Sequence, residues 1–162
     1  MNLDEKIISA LKDLDYEEAT EIQKKAIPIA LKRRDILAAA QSGTGKTAAF
    51  LLPILAELLE TKQTKTILRT LILVPTRELA SQISKAVEDF SKYMDISSLA
   101  MVGGVSTKDQ EKKIAKGIDI LVATSGRLME HLKNGTVDLS SVTTVVIDEV
   151  DTMLDMGFLE DI

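Results

Sequence analysis

Four apolar runs limit what this chain can fold into: "RDILAAA" (34–40), "TLILVP" (70–75), "DILVAT" (119–124) and "VTTVVID" (142–148). They are too continuous in hydrophobicity for strands with one wet face, so they read as strands covered on both faces, as in a parallel sheet. "SSLAMVGG" (97–104) reads as a further strand ending in a glycine turn. Helical stretches alternate with these strands. Leu3, Ile7, Ile8 and Leu11 recur at helical spacing, and further helices are expected over about 20–31, 46–59, 76–94 and 125–135. "TKQTKT" (61–66) reads as a polar loop. The class is therefore α/β, a mostly parallel sheet with right-handed crossovers and helices on both faces. In such sheets ligands bind beyond the carboxyl ends of the strands.

At 162 residues the chain has room for one domain with a real core. Its 45% hydrophobic and 28% charged content is that of an ordinary soluble globular protein. A net charge of −5 argues against indiscriminate nucleic-acid binding, so any such contact needs a local basic track. The absence of cysteine excludes disulfide partners and thiolate metal sites. The opening "MNLDEKIISALKDL" has no basic n-region and no apolar h-region. The longest apolar stretch, Ala48–Ala56, contains Pro53 and is too short to span a membrane. No membrane association and a cytoplasmic location are the expectations.

"AAAQSGTGKTAAF" lies between an expected strand and an expected helix. Gly43 and Gly45 let the backbone curl so that successive N–H groups face anionic oxygens, and the helix behind adds its positive end. Gln41, Ser42, Gly43, Thr44 and Gly45 then form a phosphate loop, with Lys46 reaching the β- and γ-phosphates and Thr47 ligating Mg²⁺. The general pattern asks for glycine where Ala40 stands. Asp148 and Glu149 directly follow "VTTVVI". At the end of a parallel strand, Asp148 can hold Mg²⁺ through water, and Glu149 can orient and deprotonate an attacking water. The same acids also suit the first turn of a helix.

These residues, with others in the same order, resemble the first RecA-like domain of the DEAD-box ATP-dependent RNA helicases. "AQSGTGKT" is similar to motif I, where alanine is normal at the Ala40 position. "PTRELA" (75–80) resembles motif Ia, Gly103 and Gly104 the glycine pair after it, "TSGR" (124–127) the family's TPGR, and "DEVD" (148–151) with "MLDMGF" motif II. "DYEEATEIQ" (15–23) resembles the Q motif. The chain departs from the pattern at Asp15 (glycine), Ala19 (proline), Ser125 (proline) and Val150 (alanine), and its first fifteen residues contain no aromatic.

The resemblance implies a RecA-like P-loop NTPase fold with ATP and Mg²⁺ as cofactors. It implies catalytic roles for Lys46, Asp148 and Glu149. It implies RNA-backbone contacts by Pro75, Thr76, Arg77, Gly103, Gly104, Thr124, Gly126 and Arg127, independent of base sequence. Gln23 would read the adenine edge, the alternative being a T-x-x-Q capping box with Thr20. Tyr16 would supply a face near the base, or simply pack. The implied organisation is one domain over 1–162, with a Q-motif helical region over 1–34 and a P-loop core over 35–162 that stops before the family's SAT motif. A second RecA-like domain in cis would complete the site. Such a chain is the ATP-binding half of a helicase that couples ATP hydrolysis to RNA binding and local duplex unwinding. Alone it is expected to bind nucleotide weakly and turn over little. A DNA-translocating relative is the rival substrate class, against which DEVD and the Q motif count. Of the remaining residues, His131 is expected to be solvated, Lys32–Arg34 to complement a helix end, and Met153 and Met156 to be core.

Overall fold

In chain order the elements are α1 (Glu5–Asp13), α2 (Glu21–Ala30), α3 (Lys46–Glu60), β1 (Thr70–Val74), α4 (Arg77–Phe90), β2 (Ser98–Met101), α5 (Thr107–Ala115), β3 (Ile120–Thr124), α6 (Ser125–Lys133), β4 (Thr144–Ile147) and α7 (Val150–Asp155). They are those of a computed structural model that describes residues 3–61 and 66–162, so most of the expected loop "TKQTKT" lies outside the described residues. The chain divides into two compact units, Met1–Lys62 with Ala86–Asp95, and Gln63–Lys85 with Ile96–Ile162.

The first unit is helical. Asp4 caps α1 by accepting the Lys6 N–H at 2.9 Å, with Glu5 in the first turn and Lys12 in the last, as the helix dipole favours. α3 buries Leu51, Leu52, Ile54, Leu55 and Leu58 almost all round, and α2 packs against it. Tyr16 stands edge-on to Phe90, with ring centroids 5.6 Å apart. At the end of α1, Asp13 accepts from Lys92 Nζ at 2.5 Å and Tyr93 Oη at 2.6 Å. The Lys92 hydrogen bond lowers the Asp13 pKa, and the Asp13 hydrogen bond raises that of Lys92. The pair's small contribution is lost as pH falls through the lowered Asp13 value or rises through the raised Lys92 value.

The expected strand over 34–40 does not form. Residues 34–40 have no regular structure, and Leu37 is 98% exposed. A strand exists only through pairing, and none of the four sheet strands pairs with this segment.

The second unit is built on a parallel sheet of order β2-β3-β1-β4. Right-handed crossovers move one way from β1 to β2 and back again to β3 and β4, which puts α4 on one face and α5 and α6 on the other. β1 is buried at every residue, and β3 at all but Thr124. Leu71, Leu73, Leu99, Met101, Leu121, Leu128 and Met153 form one core cluster. At the amino ends of the strands, Arg69 Nη2 pairs with Asp119 at 3.1 Å, and Asp119 also accepts the Ser97 N–H at 3.0 Å. Residues just before β1, β3 and β2 are thus tied together, and the register carries that alignment to the carboxyl ends.

Several expectations are corrected. β4 is an edge strand whose outward residues are open, Val145 at 55% and Ile147 at 37% exposed, so its apolar run is covered on one face only. Met156 is half exposed, whereas Met153 is fully buried. His131 is wholly buried rather than solvated. α5 was not anticipated: it is almost entirely polar and buries only Gln110. No helix among the described residues is long and apolar enough to cross a membrane.

Candidate functional site

The loop expected to bind phosphate, 41–45, lies in the first unit. Gly43 and Gly45 have φ of +80° and +90°, the left-handed region that glycine adopts without steric cost. Thr44 Oγ1 closes the turn on the Gln41 carbonyl at 2.7 Å. Lys46 and Thr47 open α3, where the backbone N–H groups lack helical partners. Their ammonium and hydroxyl have no partner among the described residues. Gln23 does more than one job here. Its Oε1 accepts the Thr20 N–H at 3.0 Å, forming the capping box of α2, and its Nε2 donates to the Gly45 carbonyl at 3.1 Å. A side-chain carbon on Gly45 would sit 2.5 Å from that Nε2, so glycine is required by the close approach as well as by φ. Gln23 is 3% exposed and Tyr16 45% exposed.

The acids lie in the second unit. Asp148 continues the ladder, its N–H donating to Leu73 O at 3.0 Å, and its Oδ1 accepts the Glu149 N–H at 3.0 Å. Glu149 has φ 52° and ψ 48°, a left-handed conformation in which a residue with a Cβ is strained. Among the described residues no group of three or more histidines, cysteines or acids could by itself hold a metal. The Thr47 hydroxyl and the Asp148 carboxylate are each hard oxygen donors, a type that Mg²⁺ accepts beside phosphate and water.

A cleft of about 540 Å³ opens at the carboxyl ends of β1, β2 and β3. Seven of the eight residues expected to meet RNA line it: Pro75, Thr76, Arg77, Gly103, Thr124, Gly126 and Arg127. The eighth, Gly104, lies under Arg77. With φ +81° it would bring a Cβ to 2.5 Å from Arg77 Nη1. Arg77 is exposed and makes no ion pair among the described residues, not even with Glu78. Arg127 is spent differently, with Nη1 donating to Thr107 Oγ1 at 2.7 Å and Nε 3.4 Å from Glu130. Thr76 Oγ1 accepts the Leu79 N–H at 3.2 Å and caps α4. The Thr124 hydroxyl makes no cap hydrogen bond. Glu78 and Glu130 also line the cleft. Sequence reasoning missed Glu130, although its i,i+3 spacing from Arg127 announces the pair.

The order of these motifs is matched by the model of the DEAD/DEAH box helicases, which covers residues 20–162. The chain belongs to the DEAD/DEAH box helicase family. It is 47% identical over 96% of its length to the ATP-dependent RNA helicase DeaD of Escherichia coli (strain K12), and 44% identical over its whole length to SrmB of the same organism. It spans 24% of the first and 37% of the second, well under half of either relative. Its fold superimposes with a TM-score of 0.89, at 38% identity, on 45% of a crystal structure described as a hypothetical ATP-dependent RNA helicase from Sulfolobus tokodaii. That match covers 98% of this chain and makes the fold that of a RecA-like helicase domain.

Proposed function

We propose that this chain is the ATP-binding half of an ATP-dependent RNA helicase, acting in the cytoplasm and coupling ATP hydrolysis to sequence-independent RNA binding and local unwinding. The observation that carries this reading is Arg77, a guanidinium with no ion pair among the described residues, resting against the Gly103–Gly104 turn in a cleft beside the start of α6. An unspent cation next to backbone N–H groups and a helix N-terminus suits a phosphate diester and ignores the base. On the nucleotide side, the loop from Gln41 to Gly45 would cradle phosphate, and Lys46 would hold the β- and γ-oxygens. Thr47 and Asp148 would hold Mg²⁺, whose charge offsets that of the phosphates. Glu149 would orient and deprotonate water, while Gln23 and Tyr16 would meet adenine. The capping box leaves Gln23 one N–H and one lone pair for that edge.

The test is titration of a single-stranded oligouridylate into the chain, read by amide chemical shifts. Arg77→Ala should weaken binding about tenfold or more and lower the salt slope by about one. A single-stranded DNA of equal length should bind similarly, since the contacts are to phosphate. Unchanged affinity in Arg77→Ala would remove the cleft from the RNA path.

A further inference from the structure

Beneath the cleft lies a polar chain that the proposed reaction does not use. His131 on α6 is wholly buried, with Nδ1 2.7 Å from Thr136 Oγ1 and Nε2 3.0 Å from Gln110 Oε1 on α5. Gln110 is 2% exposed and donates its Nε2 to the Val102 carbonyl at 3.1 Å. A carbonyl only accepts, so the Gln110 amide nitrogen faces Val102 and its oxygen faces His131. His131 Nε2 therefore carries a hydrogen, while the Thr136 hydroxyl, 2.7 Å from Nδ1, donates to the His131 backbone carbonyl at 3.0 Å.

The last link points at the cleft. The Val102 carbonyl and the Gly103 N–H belong to one planar trans peptide, in which the two groups point opposite ways. Holding the oxygen on Gln110 thus turns the Gly103 N–H away from Gln110. That N–H has no partner among the described residues, and Gly103 lines the cleft beside Arg77. We infer that His131 and Gln110 are positioning residues: they lock the Val102–Gly103 peptide so that the Gly103 N–H is presented to a phosphate oxygen of the bound strand. This rests on the reading of the cleft as an RNA-backbone site. Thr136 holds the other side of the ring, its Oγ1 2.7 Å from Nδ1.

The experiment uses the full 162-residue chain, labelled with ¹⁵N, and a single-stranded oligouridylate. In the unmodified protein His131 Nε2 should carry a hydrogen bonded to Gln110, and the Gly103 amide should shift on titration. His131→Phe and Gln110→Leu should each move the free Gly103 amide resonance and weaken binding about three- to tenfold, the size of one net hydrogen bond. The double variant should be no worse than either single one, because the same link is lost. His131→Gln, whose amide nitrogen can replace Nε2, should recover most of the affinity. If His131→Phe does not fold, Gln110→Glu gives the same reading: it keeps an acceptor toward His131 and sets an oxygen against the Val102 carbonyl. A His131 Nε2 that carries no hydrogen would overturn the relay without any variant. So would a lowered melting point with Gly103 and the affinity unmoved, which is the mark of a packing role. Loss of affinity in Arg77→Ala with none in His131→Phe or Gln110→Leu would sink the relay alone. Full affinity in Arg77→Ala would sink the RNA reading and the relay with it.

Discussion

Ser125 stands where the family pattern has proline, at the first position of α6. It is 4% exposed, and its Oγ is buried with no partner among the described residues. An unsatisfied buried hydroxyl opposes folding, and the first helical residue has an N–H that no helical carbonyl claims. Proline fits that place, with φ preset and no hydroxyl to desolvate. Ser125→Pro should therefore raise stability by about 1 kcal/mol, read as a higher urea midpoint at unchanged m-value. A lower midpoint would mean that the serine hydroxyl or N–H is paired after all. At this scale the sequence was most legible where glycine was demanded: Gly43, Gly45 and Gly104 all take positive φ. It was least legible at His131 and Gln110. A lone polar residue on a helix reads as solvated, and burial here depends on a partner 21 residues away.

Gln23 joins two elements through one amide, capping α2 with its oxygen and holding the phosphate-loop carbonyl with its nitrogen. Thr20 shares the cap but makes no hydrogen bond to the loop. The two roles separate by mutation. Thr20→Ala should cost about 1 kcal/mol of stability and leave ADP affinity within about twofold. Gln23→Ala should cost a similar amount of stability and also weaken ADP binding about fivefold or more, through the released Gly45 carbonyl and the lost base contact. Calorimetric titration with parallel thermal unfolding checks both, and equal ADP affinities in the two variants would reduce Gln23 to a cap. α1 was legible because its apolar spacing answers to neighbours in the same helix, and α3 because a run rich in alanine and leucine follows the glycine loop. Strand readings needed partners that the sequence does not display. "RDILAAA" has the composition of a buried strand but pairs with none of the four sheet strands, and Val145 and Ile147 stand exposed on one face of β4 although their apolar run reads as covered on both.

For the molecule as a whole, the division into two compact units was not legible, because it follows contacts between segments far apart in sequence, such as Asp13 with Lys92. The family was legible, because its motifs follow one another in order along the chain. The remaining prediction concerns turnover. The chain spans 24% of DeaD and 37% of SrmB, and the resemblance assigns to a second domain the arginines that meet the γ-phosphate. Negative charge develops on that group in the transition state, and an arginine supplied across an interface is worth about 10³–10⁵ in rate in comparable phosphoryl-transfer enzymes. Glu149 alone, acting as the proposed general base, would contribute only about 10²–10⁴. Without a closing partner, water also weakens every electrostatic contact to the phosphates. The 162-residue chain should therefore bind ATP weakly and hydrolyse it at a negligible rate, with or without RNA. Joined in cis to a second RecA-like domain, it should show RNA-stimulated ATPase activity that Glu149→Gln abolishes. Phosphate release assays on repurified protein decide the matter. Robust RNA-dependent turnover by the chain alone, absent in Glu149→Gln, would show that its own residues already stabilise the transition state.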